Sequence, residues 1–382
     1  MASGNLPARQ TRVSIISKAS SHRSVLLLVG SLRSGGTEGQ VALLANRLAA
    51  RGVRVTLTIL NGEHQHFRLS PEVTLEVLGT GGVRSLLPAC VRLRRLARGH
   101  DCVMSFLDVC NVLAAAVVRS CPVVFNVRSS GVSPGWVAYS AFRVARSLSV
   151  RALRIVSNSR QVQRFYQQRG FHPGSWLVIP NGVDLCRFRP DREMRMRVRA
   201  SLGVGEDAPL VGFFARYQEE KRFDVFVEAM ASRCPDAHLV FVGRGSDADN
   251  PDLRTILGSL YERAHLLGER QDVPELLAAM DVVVNASDFE GFSNALLESM
   301  ACGVPCVATN IPANVEVLDA AGVTVPAGNA AMLGEAVRAL LQDEDRRGEL
   351  RRRGIERARS HFELERWCDA FEATIADCGH AP

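Results

Sequence analysis

Short apolar runs rich in Val, Leu and Ile alternate along this chain with helix-like stretches, and that alternation admits few folds. VLLLVG (25–30) reads as a buried strand, a helix runs from about Glu38 to Arg51, and VRVTLTIL (53–60) is the next strand. EVTLEVLG, CVMSF (102–106), PVVFNV (122–127), LRIVSNS and SWLVIP (175–180) continue the strands, with helices near 84–98, 109–119, 136–150 and 159–169 between them. Strands that are apolar throughout, joined by helices, indicate a parallel sheet covered on both faces.

NGVDLCRFRP (181–190) breaks the rhythm with an Asn-Gly turn signal and no periodicity. The alternation then restarts with PLVGFFA (209–215), AHLVFVG (237–243), AHLLG (264–268), DVVVNAS (281–287), PCVATN (305–310) and GVTVP (322–326). The expected architecture is α/β, with two doubly wound parallel-sheet units in tandem facing a cleft. Residues 24–185 form the first, 186–360 the second, and a helix over 361–382 crosses back to the first. Residues 1–23 lack acids, carry Ser and Arg, and are expected to form a disordered tail.

Charge is unevenly placed. Residues 1–190 hold 25 basic and 7 acidic side chains, whereas residues 191–382 hold 21 and 33. Arginine-rich composition explains the basic count, since Lys18 and Lys221 are the only lysines, but not why acids are scarce in one half. The basic half favours an anionic partner such as a membrane surface or a phosphorylated acceptor. Its helices at 88–99 and 136–154 suit an anionic lipid surface or a solvated face equally. Aromatics make up only 6% of the chain, with no interleaved basic–aromatic pattern, so nucleic acid is not expected. The ten cysteines lie mostly in apolar runs and read as buried free thiols in a reducing cytoplasm. No run of about 18 apolar residues suggests a membrane span, and the close pair His64 and His66 is expected at the surface.

The segment SDFEGFSNALLESMACGVPCVATN (287–310) carries the strongest chemical signal. A strand delivers Asp288 and Glu290 to the carboxyl edge of the sheet, where open α/β sheets bind ligands. Gly291 is expected to let the backbone approach a ligand. Ser293 is a plausible N-cap, and the free N–H groups near Ser293, Asn294 and Ala295 suit a diphosphate. Glu298 shares a helix face with Asn294, so two carboxylates flank the phosphate position. In ARYQEEKRFDVFVEAM (215–230), Arg216 and Lys221 leave the end of another strand and could neutralise a departing diphosphate without a metal.

These segments resemble glycosyltransferase family 4, the retaining family with the GT-B fold. Glu290-x7-Glu298 is similar to its E-x7-E signature and 215–229 to its G-R-x-x-x-x-K-G segment, with Ala215 and Arg222 at the two usual glycines. FVGRGSD, IPNGVD and SLRSGGTEGQ resemble its glycine turn, interdomain segment and N-terminal loop. SFLDVCN resembles bacterial transferases that extend lipid-linked or cell-surface glycans.

The resemblance implies catalytic roles for Glu290, Arg216 and Lys221 and a donor site formed by Glu298, Gly291, Phe292, Ser293, Asn294, Ala295, Leu296, Gly243 and Arg270. Gly35 and Gly36 would approach donor phosphate or acceptor, and Arg128 an acceptor phosphate or only structure. A His that many relatives carry in the N-terminal domain is replaced here by Asn126, Arg128 and Ser129. The implied reaction is metal-independent transfer from a nucleotide-sugar, by default a UDP-sugar, to a glycan or lipid-linked acceptor. No cofactor is expected, and the enzyme would be cytoplasmic, peripheral on the inner membrane face. A sugar-nucleotide epimerase of the same fold and a non-catalytic membrane scaffold are the alternatives.

Overall fold

The computed structural model describes residues 23–33, 35–62, 66–80, 83–131 and 135–379. The expected tail, apart from Arg23, and His64 lie outside the described residues.

The strands form where β-branched and aliphatic residues run without interruption. The first sheet holds β1 (Ser24–Val29), β2 (Arg54–Ile59), β3 (Thr74–Val77), β4 (Cys102–Phe106), β5 (Val123–Val127), β6 (Arg154–Ser157) and β7 (Trp176–Val178), in the order β3-β2-β1-β4-β5-β6-β7. The second holds β8 (Leu210–Phe214), β9 (His238–Val242), β10 (Ala264–Leu266), β11 (Val282–Asn285), β12 (Cys306–Thr309) and β13 (Val323–Val325), in the order β10-β9-β8-β11-β12-β13. Every neighbouring pair is parallel; Leu27, for example, lies between Leu57 and Met104. Strand order reverses beside β1 in one sheet and beside β8 in the other, and the carboxyl ends at such a reversal form a ligand crevice.

Each sheet is covered on both faces. Helices Val83–Ala97, Asp108–Val117, Trp136–Leu148 and Arg160–Gln168 bury Leu93, Ala114, Phe142 and Val162 on one face of the first sheet. Helix Gly36–Ala50 covers the other face, together with the last helix, Leu364–Cys378. Trp367, Phe371 and Ile375 of that last helix lie in the same core as Val41 and Leu48. Arg51 ties the arrangement down at the surface through Glu365, Asp369 and Glu372. Gly182 leaves room for Trp367, because a Cβ there would sit 2.8 Å from the indole.

In the second unit the α-helix Pro251–Leu257 is followed by a tighter 3-10 stretch, Gly258–Arg263, with the change of winding at Gly258. His66, expected to be plain surface, bridges the two units, its Nδ1 lying 3.0 Å from Glu269 Oε1.

Candidate active site at the domain junction

The loops that leave the carboxyl ends of the two sheets meet each other. Ser130, after β5, donates to the Glu290 carbonyl at 2.6 Å, and Ser159, after β6, donates to the Gly291 carbonyl at 2.7 Å. A Cβ on Gly291 would collide with the carbonyl oxygen of Arg128. The close approach expected between Gly291 and a ligand is thus an approach to the other domain's backbone.

Glu290 is fixed from three sides. Lys221 Nζ donates to its Oε1 at 2.6 Å, Ser287 Oγ at 2.9 Å and Asn285 Nδ2 at 3.2 Å. Lys221 and Glu290 are both largely buried, which strengthens a charge-assisted hydrogen bond. All three donors converge on one oxygen, and among the described residues Oε2 accepts no hydrogen bond. Asn285 also donates to Ser293 Oγ, and its own Oδ1 accepts from Asn314. Asn314 in turn donates to Thr309, whose hydroxyl holds the Ser287 carbonyl. The carboxylate therefore stands on a buried polar network with little freedom to turn.

Ser293 caps helix Asn294–Ala301, accepting from the Leu296 N–H at 3.4 Å, while Phe292 and Leu296 pack into the core beneath. The first N–H groups of that helix, at Asn294 and Ala295, have no intrahelical acceptor and carry the positive end of the helix dipole. Asn294 is held by two segments of the first unit: Asn181 donates to its Oδ1 at 2.6 Å, and its Nδ2 reaches the Gly36 carbonyl at 3.4 Å. A Cβ on Gly36 would lie 3.1 Å from that amide.

Glu298, which keeps part of its surface accessible, is hemmed in closely enough that desolvation lifts its carboxyl to about 7, opposed by Arg187. Arg187 itself bonds the Gln271 carbonyl at 2.9 Å. Arg270 is exposed and paired with Asp272 at 2.5 Å, so its side chain is already engaged. Gly243 adopts φ 141°, and a side chain there would strike the Ala215 carbonyl. Arg216 is half-buried and makes no ion pair or hydrogen bond among the described residues. Across the cleft stands Glu38, raised by burial and restrained by the fields of Arg216 and Arg244. The Glu38 carboxyl folds back over Gly35.

Arg128 does not open to the cleft. Its guanidinium is buried, donates to Asn181 Oδ1 at 2.7 Å and lies 5.4 Å from the Phe106 ring and 5.9 Å from the Phe371 ring. Burial lowers it to about 10. Its Nε and Nη2, also buried, have no hydrogen-bond partner among the described residues. Arg128, Asn181, Asn294 and Gly36 form a directed polar relay through the junction. Sequence alone does not single out Asn181, Asn285, Asn314, Ser130 and Ser159. An Asn at or just beyond the end of an apolar strand run, as in NAS and PNG, is the available signal for Asn285 and Asn181.

The model for Glycosyltransferase Family 4 matches residues 34–187, and that for Glycosyl transferases group 1 matches residues 208–343. The chain is 29% identical over 211 residues to a lipopolysaccharide core biosynthesis mannosyltransferase of Rhizobium meliloti, a match covering 51% of this chain and 59% of that protein. It is 29% identical over 402 residues to a D-inositol 3-phosphate glycosyltransferase of Geodermatophilus obscurus, covering 94% of this chain and 88% of that one. The fold is similar to the crystal structure of Anabaena HepE in complex with UDP-glucose, with a TM-score of 0.81 and 22% identity, covering 93% of this chain and 100% of the other.

Proposed function

Because the chain belongs to the family 4 glycosyltransferases and has their GT-B fold, we propose that it transfers a sugar, with retention at the anomeric carbon, from a UDP-sugar to a glycan or lipid-linked acceptor. The product would serve cell-surface polysaccharide or glycolipid synthesis. The observation that carries this reading is the Glu290 carboxylate, pinned through one oxygen by Lys221, Ser287 and Asn285 beside an open helix start. Its other oxygen can accept from a sugar hydroxyl, while the Asn294 and Ala295 N–H groups receive the diphosphate. Arg216, unpaired and half-buried, supplies positive charge to the departing diphosphate. No metal is required by this scheme. Glu298 takes the ribose hydroxyls. The lipopolysaccharide core relative supports a lipid-bound acceptor, and the basic first domain supports contact with an anionic membrane.

The test is a thermal-shift screen of UDP-hexoses, UDP-N-acetylhexosamines and GDP-mannose in the presence of EDTA, followed by product analysis. A ligand at about 100 times its Kd stabilises by about 2.7 kcal/mol. A shift with one donor, abolished in Glu290→Ala and Arg216→Ala, supports the site. A new free sugar nucleotide without a glycoside would instead identify an epimerase, and no shift with any donor would count against transfer altogether.

A further inference from the structure

The first sheet has one face closed by helix Gly36–Ala50 and the C-terminal helix, and one face whose helices are open to solvent. On the open face, helices Val83–Ala97 and Trp136–Leu148 both pack against Asp108–Val117, so the three form a continuous layer. Their outer sides are strongly apolar at the ends that begin near the cleft. Leu87 is 74% exposed, Val91 62% and Trp136 80%, with Leu86, Val109, Val137 and Tyr139 also exposed. Exposing a Trp to this degree forfeits its large burial energy, and Leu86, Leu87 and Val91 share one helix of this layer as Trp136, Val137 and Tyr139 share another.

The same helices carry exposed arginines and no acids to answer them. The sequences Val83–Ala97 and Trp136–Leu148 contain no Asp or Glu. Between Glu76 and Asp184 there are 14 arginines and two acids, Asp101 and Asp108. Asp108 is occupied by the Tyr166 hydroxyl at 3.1 Å. Arg94, Arg95, Arg143, Arg146 and Arg151 are exposed and have no acidic partner among the described residues. Arg119 lies within the fields of both Arg94 and Arg151, so positive charge from three neighbouring segments is concentrated at the far ends of the helices. Like charges held together without counterions favour an anionic surface.

We infer that this three-helix face docks onto an anionic lipid bilayer. Leu87, Val91 and Trp136 enter the headgroup boundary, and Arg95, Arg119, Arg143 and Arg151 meet lipid phosphates. A protein partner would not need both a Trp-led apolar rim and an acid-free arginine field; a bilayer interface supplies the complement to each. All three helices begin at the carboxyl edge of the sheet, so the apolar rim borders the cleft. Docking therefore brings the cleft mouth to the bilayer, and a lipid-linked acceptor reaches the site without leaving the membrane. That last step rests on the transfer reading; the docking does not.

The experiment is flotation of the full chain with phosphatidylcholine vesicles and with vesicles containing phosphatidylglycerol, without donor or acceptor. The wild type is expected to float with the anionic vesicles alone. Leu87→Ser combined with Trp136→Ser should lower the bound fraction at least tenfold, and each of Arg95→Glu, Arg119→Glu and Arg151→Glu should weaken binding by about fivefold or more. Circular dichroism confirms that each variant is folded. Wild-type protein that stays at the bottom of the gradient overturns the inference, as does a variant pair that floats like wild type. Sedimentation showing that the face is instead covered by a second copy overturns it too. Because no substrate is present, failure here is distinct from failure of the donor screen.

Discussion

Gly291 and the carbonyl of Arg128 are packed backbone to backbone across the domain junction, with no space for a methyl group between them. Gly291→Ala is therefore expected to force the two loops apart. The cost should be roughly 1–3 kcal/mol, as for other overpacked sites, and the loss of turnover should exceed what that instability explains. Urea denaturation with a parallel rate measurement separates the two effects. Wild-type stability and rate together would show that the junction yields without consequence.

The Lys221–Glu290 bond of 2.6 Å joins the loop after β8 to the loop after β11. A charged hydrogen bond is worth about 1.5–3 kcal/mol, so Lys221→Ala should lower kcat/KM roughly 10- to 100-fold. Glu290→Gln keeps an acceptor for Ser287 and Asn285 but loses the charge. It should retain the fold, read by melting temperature, while losing activity to a similar extent. Full activity in either variant argues against the role proposed for the pair.

Glu298 titrates near 7 in the folded chain, above its ordinary value of 4.5, because burial disfavours the anion. The folded state then holds this proton more tightly than the unfolded state. Its contribution to stability is complete below pH 4.5 and disappears as pH rises towards 7 and above. Glu298→Gln, which never ionises, should gain on wild type across that window, by roughly 3 kcal/mol at most. Donor affinity should move the other way, strengthening as the carboxylate forms and begins to accept ribose hydroxyls. Isothermal titration of the donor between pH 5.5 and pH 8.5 (about three units spanning the titration) checks this. An affinity independent of pH would remove Glu298 from the donor site.

Arg222 occupies a left-handed backbone conformation, φ 54°, a region that favours glycine. It is held there by Asp224 and by Asp288, the latter 3.0 Å away. Arg222→Ala keeps the strained backbone and loses both ion pairs. Arg222→Gly loses the pairs but relieves the strain. The glycine variant should therefore be the more stable of the two by about 1 kcal/mol, measured by chemical denaturation.

What the sequence makes legible follows from the range of each interaction. A parallel strand buried on both faces must be apolar throughout, so the strands declare themselves. Ser293 announces a helix start because capping is local, and the spacing of Glu290 and Glu298 is set within a single turn and helix. The junction is different. Arg128 touches Asn181, and Asn181 touches Asn294, over separations of 53 and 113 residues. No local periodicity encodes such partners. For that reason Gly291 reads as a ligand contact although its nearest neighbour is protein, and His66 reads as surface although it reaches Glu269.

The last helix, Leu364–Cys378, supplies Trp367, Phe371 and Ile375 to a core whose other members begin at Val25. The domain made first is thus completed by residues made after the whole of the second sheet. During synthesis the second sheet, whose strands lie between Leu210 and Val325, has every strand available before the first domain receives its closing helix. The earlier domain must wait with part of its apolar face uncovered, the kind of surface on which nascent chains misassociate. The link between the β1 segment and helix Leu364–Cys378 therefore sets an order of assembly, in which docking of that helix is the step that commits both halves to one another.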